Sequence, residues 1–467
     1  MEINMNDFRF EDIESLSAEL PEDILKRKWH GDFAGADRLI GLWLEREIPL
    51  ELRRKLILER EILKRLPSEY PYSHDEAFLK LRDTVPDMTE EEFRMLQDQG
   101  KIDWIYVDGE EHFFNRFVET LLKVNSDIRE RAKSSEKKES AARREKQALL
   151  DIIRLVRECG AVECGFHIRA SLQINDAGFQ KGPVRVHIPV PADCEQHEGI
   201  RILAASSEKY DLADAKSPQR AICFREEMKE NHVFWVEYAY TNRVDYVEMK
   251  PEEVFSIDPA EFAEDLKEQL PHIRFTPYMR SLAEQLTSGQ NNPLEKARCI
   301  YDYITAHVEY SFVRSYFTIE NLSEYAAVSH KGDCGIQALM FITLCRIAGI
   351  PARWQSGLYV TPFSAGCHDW ALMYIAPYGW RYVDCSFGGS ARRERDEERR
   401  QFYFGNLDPF RMVANSAFQH EFDVKKSFLR ADPYDNQRGE AEYENRGLGL
   451  EDFRWEAEIL QCHVKKP

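Results

Sequence analysis

No apolar run in the 467 residues approaches the ~20 needed to span a bilayer. The opening stretch, Met1-Glu2-Ile3-Asn4-Met5-Asn6-Asp7, lacks the basic-then-apolar order of an export signal, so a cytoplasmic chain is expected. Positive charge is also in deficit: 63 Lys and Arg stand against 82 Asp and Glu, a net charge of −19. So acidic a surface repels phosphate backbones and anionic lipid, which argues against nucleic-acid and membrane partners. Zinc-like spacing is missing, since Cys159 and Cys164 are the nearest cysteine pair and no matching His/Cys pair follows. The ten cysteines scatter from Cys159 to Cys462 and suggest no small disulfide framework; most should be buried hydrophobes. No Asp-rich calcium loop is present either. With 43% hydrophobic and 31% charged residues, the chain still has the composition of a folded protein.

The organisation follows from changes of period. Residues 1–125 read as a helical accessory domain, with Leu39, Ile40, Trp43 and Leu44 at buried-helix spacing and Thr89 with Glu92 as a capping pair. Trp104-Ile105-Tyr106-Val107 before Asp108-Gly109 predicts a short hairpin within it. Residues 126–160 form a charged helical linker. Between Arg129 and Lys146 twelve of eighteen residues are charged, without heptads, and Leu149, Leu150, Ile152, Ile153 and Val156 then supply a docking face. Residues 161–270 alternate apolar and polar in several runs, including Tyr246-Val247-Glu248-Met249, and predict an antiparallel β-sandwich-like module. Its His167, His187 and His232 are expected on polar strand faces. Residues 271–430 return to helical period and carry the dense chemistry, with Arg392 to Arg400 read as a charged loop. The polar tail, 431–467, is expected to be loop or partly disordered. The class is α+β.

The chemistry begins at His330-Lys331-Gly332-Asp333-Cys334-Gly335. Asp333 is a suitable N-cap, Ala338, Phe341, Ile342 and Cys345 make the apolar stripe, and Gly349-Ile350-Pro351 stops the helix. Cys334 thus falls in the first turn, where free N–H groups and the macrodipole favour a thiolate. Cys345, inside the stripe, is the internal control and should be core. A thiol nucleophile needs a base and the base an orienter. His368 opens a strand-like run that turns at Pro377-Tyr378-Gly379 and returns through Asp384, so a hairpin sets His368 and Asp384 within a few residues of opposite.

Gly332-Asp333-Cys334, the stretch Leu344 to Arg353, His368-x-Trp370 and Gly379-Trp380-x-x-Val383-Asp384 resemble the transglutaminase-like superfamily over roughly residues 276–390. The preceding module, with Val184 to Pro191, is similar to β-domains that precede such cores in bacterial members. The resemblance implies a papain-like core with the Cys334 helix packed on an antiparallel sheet. Cys334 would be nucleophile, His368 general base and acid, and Asp384 the orienting residue, acting through an acyl-thioester on a peptide or protein amide without a cofactor. Tyr310 is a candidate for the oxyanion site. Gln337 could line the cleft or face solvent, and Trp370 should pack under His368. Segments 354–367 and 388–406 are expected as cleft-bordering loops. Hydrolysis, as a peptidase or amidase, is the leading activity. Acyl transfer to an amine, a non-catalytic scaffold, and a structural zinc site using Cys367, His368 and Cys385 are the alternatives.

Overall fold

The computed structural model describes residues 10–133 and 136–465. Residues 1–7, read for an export signal, lie outside the described residues. The N-terminal region contains helices Glu22–His30, Phe33–Leu44, Leu50–Glu69, His74–Thr84, Glu90–Asp98 and Phe117–Val124. Its hairpin pairs Trp104–Val107 with Glu110–Phe113. Asp108 and Gly109 both have positive φ, 52° and 82°, the conformation that a two-residue turn between twisted strands requires. Two local cores hold this region, one around Leu81, Phe93 and Phe113, the other around Ile24, Ile40 and Leu63. Leu58, Ile62, Leu66 and Tyr70 belong instead to the core that surrounds the Cys334 helix, so the accessory region is welded to the rest.

The helix Glu136–Cys159 docks through Leu149, Ile152, Ile153 and Val156 on the core of a β-sandwich. One antiparallel sheet of the sandwich joins Glu440–Tyr443, Gly182–Pro189, Ala221–Met228 and Tyr210–Leu212. The other joins Phe453–Lys465, Ala161–Ile174, Val233–Asp245 and His197–Ala205. Strands Glu440–Tyr443 and Phe453–Lys465 therefore correct the expectation of a loose tail over 431–467, of which residues 431–465 are described. Phe453–Lys465 runs antiparallel to Ala161–Ile174, from Phe453 opposite Ile174 to Lys465 opposite Glu163. Phe453, Trp455, Ala457 and Ile459 alternate with Arg454, Glu456 and Glu458, and that period of two turns one face inward despite the polar composition.

Two smaller expectations also change. Tyr246–Met249 is not strand: Asn406 accepts from the Val247 N–H and donates to its carbonyl, so those groups are unavailable to a ladder. His187 is buried, stacked on Phe422 at 4.6 Å, with Nε2 2.9 Å from the Val424 carbonyl oxygen. His167 and His232 lie at partly open positions beside Glu237 and Glu226.

The remaining core is a five-stranded antiparallel sheet in the order Phe404–Gly405, Gly379–Val383, Ala365–Ile375, Ala352–Val360, Arg411–Asn415. Helix Cys334–Ile347 covers one face, with Ile336, Leu339 and Met340 in the same cluster as Trp354, Ala371 and Met373. The opposite face, with Leu358, Trp370, Leu372 and Met412, packs into the sandwich core. The sheet is thus buried on both sides, and neighbouring residues of one strand enter different environments. Arg392 to Arg400 is mostly helical rather than loop. Asp396 accepts from the Arg399 N–H to start helix Glu397–Phe402, and buried Arg399 and Arg400 pair with Glu394 and Asp302. The expected cleft loop 354–367 shrinks to the turn 361–364 between two strands, and 388–406 is largely helix. No helix among the described residues is long and apolar enough to cross a membrane.

Candidate active site

Asp333 caps helix Cys334–Ile347 by accepting from the Ile336 N–H at 3.1 Å, which puts Cys334 at the first helical position. The approach is fixed by strand Glu309–Tyr310, which pairs in parallel with Lys331–Gly332 so that Tyr310 lies opposite Gly332. Gln337 Nε2 donates to the Gly332 carbonyl at 2.9 Å. Gln337 is almost fully buried, so it holds the turn from beneath and neither lines the cleft nor faces solvent. Gly335 is required by crowding: a Cβ there would sit 2.2 Å from the Tyr316 hydroxyl and 2.9 Å from Asp369 Oδ2. The Tyr316 hydroxyl donates to Asp333 Oδ1 at 2.6 Å.

His368 and Asp384 meet as the hairpin reading requires. Ala371 lies opposite Val383 across the hairpin, and His368 Nε2 is 2.7 Å from Asp384 Oδ2. Asp384 also caps helix Cys385–Arg393, its Oδ1 accepting from the Phe387 N–H at 2.9 Å and the Ser386 hydroxyl at 3.1 Å. The sequence reading missed the third member of this group. Arg411 Nη1 lies 3.1 Å from Asp384 Oδ2, its Nη2 bonds Asp408 at 2.7 Å, and all three side chains are sealed from solvent. Burial would raise the Asp384 pKa, but the imidazole and the guanidinium outweigh it and hold the carboxyl at about 2. The same burial pushes the His368 pKa down against the pull of Asp384, so the resting imidazole is neutral. Trp370 is fully buried, its ring 6.1 Å from that of His368 and its Nε1 bonded to Gln355 at 2.9 Å. It braces the imidazole and has no surface for substrate.

The thiol departs from expectation. Cys334 Sγ donates to Asp369 Oδ2 at 3.1 Å, and no hydrogen bond joins it to His368. Strand geometry explains this: Asp369 follows His368, so it points with Ala371 and Met373 towards the Cys334 helix, while His368 shares the other face with Trp370. Burial, then the charges of Asp369 and Asp333, raises the thiol pKa well above its ordinary value, and Lys123 opposes them weakly. The helix start alone predicted the reverse; two carboxylates and desolvation outweigh the macrodipole here. Asp369 is itself pushed well up, by burial first and then by the neighbouring Asp435 and Asp333 carboxylates. Gln437 fixes it, donating 2.6 Å to Asp369 Oδ1 and 3.0 Å to the His368 carbonyl. Asp369 was readable only as the middle residue of His368-x-Trp370, and Gln437 and Asp435 lay in the segment read as tail.

Cys345 is fully buried, as the control requires. The zinc alternative fails on geometry, because Cys385 begins a helix in the core, Cys367 abuts Arg438, and His368 is committed to Asp384. Among the described residues no group of three or more His, Cys, Asp or Glu is arranged to hold a metal.

Residues 280–385 match the family described as the transglutaminase-like superfamily, a stretch that includes Cys334, His368 and Asp384. The chain thus carries a transglutaminase-like region, which supports a cysteine-dependent enzyme in general terms. A "Putative Cysteine Protease" from Cytophaga hutchinsonii is similar at 17% identity and a TM-score of 0.39, over 65% of this chain and 90% of that one. The periplasmic domain of TgpA from Pseudomonas aeruginosa is similar at 16% identity and a TM-score of 0.29, over 54% and 96%. A "putative protease" from Parabacteroides distasonis gives 14% identity and a TM-score of 0.22, over 46% of each chain. No curated protein matches the chain.

Proposed function

We propose that this protein is a cysteine-dependent hydrolase of peptide or protein amides, with Cys334 as nucleophile, His368 as base and acid, and Asp384 as orienter. The observation that carries the reading is the sealed His368–Asp384–Arg411 group, which fixes the Nε2 side of the imidazole on a carboxylate, one residue before Asp369, the hydrogen-bond partner of the helix-start Cys334. With Nε2 held at 2.7 Å by Asp384, Nδ1 is the nitrogen left to take the thiol proton. The bond to Asp369 is then the resting position of the thiol, and the reaction requires the sulfur to leave Asp369 for the imidazole of the neighbouring residue.

The chemistry balances in two halves. His368 Nδ1 accepts the thiol proton as sulfur bonds to the amide carbon. The imidazolium returns that proton to the amine as the C–N bond breaks, leaving a thioester on Cys334. His368 then takes a proton from water, whose oxygen displaces sulfur to give the carboxylic acid and the free thiol. The Cys334 backbone N–H, at the unsatisfied end of its helix, is positioned to bind the oxyanion, with the Tyr310 hydroxyl as the side-chain candidate. An amine that reaches the thioester before water gives acyl transfer by the same steps.

Incubation with a peptide amide library tests the reading. Cleavage or deamidation that disappears in Cys334→Ala supports hydrolysis. Isopeptide products formed only with added lysine would transfer the assignment to an acyltransferase. No Cys334-dependent product from any amide would remove the reading.

A further inference from the structure

A protein with a net charge of −19 places unpaired basic side chains around the helix start that carries Cys334. Helix Phe117–Val124 packs against strand Glu309–Tyr310, which leads to the Cys334 turn, and places Lys123 Nζ 3.7 Å from the centre of the Tyr310 ring. Helix Cys385–Arg393 ends against the same strand, bringing Arg393 to it. On the His368 side, Gln437 anchors the chain to His368 and Asp369, and the next residue, Arg438, sets its guanidinium beside Cys367. Lys123, Arg393 and Arg438 are all solvent-exposed, and none forms an ion pair among the described residues. Nearby carboxylates have other partners: Asp333 its helix cap and Tyr316, Glu309 Lys101, Glu119 Arg116, Glu394 Lys146 and Arg399, Asp432 the Tyr434 and Asp435 N–H groups, and Asp369 the thiol and Gln437. Long-range repulsion by the acidic surface therefore coexists with a local cationic mouth, and at contact distance the local groups decide which substrate docks.

We propose that the mouth above Cys334 is an anion-binding subsite and that the amide acted on is flanked by carboxylates, as in an acidic peptide, with Lys123 and Arg393 holding one side and Arg438 the other. This deepens the amide-hydrolase reading and rests on it for the identity of the scissile bond. The anion site itself is independent of turnover. Lys123 comes from the accessory region, so that region completes the substrate site of the transglutaminase-like core.

The test compares alkylation of Cys334 by iodoacetate and iodoacetamide, which differ in charge at equal reach, in the full-length chain with labelling read at that residue. The iodoacetate-to-iodoacetamide rate ratio is expected to fall about fivefold in Lys123→Gln and in Arg438→Gln, to persist in Lys123→Arg, and to decline with added salt. An equal ratio in the wild type and both glutamine variants, insensitive to salt, overturns the proposal. Should one variant fail to fold, the other and the salt titration of the wild type still decide. Peptide amides then separate the two readings. A shifting ratio without turnover of any amide keeps the anion site and removes the hydrolase. Turnover with equal kcat/KM for acidic and neutral peptides keeps the hydrolase and removes the anion site.

Discussion

The two faces of the central sheet treat charge in opposite ways. On the face that meets the β-sandwich, Asp384 keeps its charge in a sealed site because His368, Arg411 and two backbone or hydroxyl donors surround it. On the face under the Cys334 helix, Asp369 has no cation bonded to it, lies near the Asp435 carboxyl, and accepts hydrogen bonds from the thiol and from Gln437. Two aspartates, at equally buried positions of one small sheet, are thus held at opposite ends of the carboxyl range. The contrast teaches that burial does not set the protonation state alone; the presence of a bonded cation does. It also divides the site, with an imidazole held by an ionised Asp384 and Arg411 on one side and, on the other, a thiol and a carboxyl that both retain their protons more strongly than usual.

Removing the sulfur breaks the comparison most severely. Cys334→Ala is expected to lower amide turnover by at least ~10⁴-fold, whereas Cys345→Ala, deep in the same helix, leaves kcat within a small factor once stability is matched. Steady-state kinetics on both variants checks this.

Asp384→Asn comes next. It leaves the sealed Arg411 with Asp408 alone and releases the imidazole, so a loss of about 3 kcal/mol in denaturant unfolding and of ~10²–10⁴ in kcat is expected. Circular dichroism melts in urea and single-turnover kinetics read the two effects separately.

The pH dependence sharpens the contrast. The Asp384 pKa is about 2 in the folded protein and near ~3.9 unfolded, so its contribution of roughly 2–3 kcal/mol is present above pH ~4 and lost as pH falls through 2. His368, whose pKa is lowered by burial, adds a loss that begins once pH drops below its ordinary value. Glu69 and Asp432, pushed up to about 7 by burial, act in the opposite direction: their stabilising effect is lost as pH rises towards 7. The difference between wild type and Asp384→Asn in urea melts from pH 7 to pH 2 isolates the Asp384 share. That difference should shrink on the acid side.

Asp369→Asn should have the smallest effect and the opposite sign. It removes a group whose charge and hydrogen bond both hold the proton on the thiol, so the thiol pKa falls and alkylation of Cys334 near pH 8 quickens about tenfold. Slower alkylation, in a folded variant with normal melts, would show that Asp369 activates the thiol.

Much of this site could be read from the sequence because it is local. Asp333 and Cys334 announce a capped helix start, and the turn at Pro377-Tyr378-Gly379 brings His368 and Asp384 together by register. The parts that escaped are those closed by distant chain. Arg411 is a lone arginine in its own segment, and nothing near it says that it will lie against Asp384. Asp435 and Gln437 reach Asp369 from a segment whose polar composition suggested a loose tail, although the alternation from Phe453 to Ile459 was present there as a strand signal. The thiol's choice of Asp369 over His368 depends on which face of the strand the helix covers, and the strand pattern alone does not specify that.

Intact-mass analysis of the full chain quenched during reaction with an activated ester tests the central claim directly. The account predicts a single acyl adduct on Cys334 that forms in the wild type and in Cys345→Ala, is absent from Cys334→Ala, and accumulates more slowly in His368→Ala. An adduct of the same yield and rate in Cys334→Ala would contradict it.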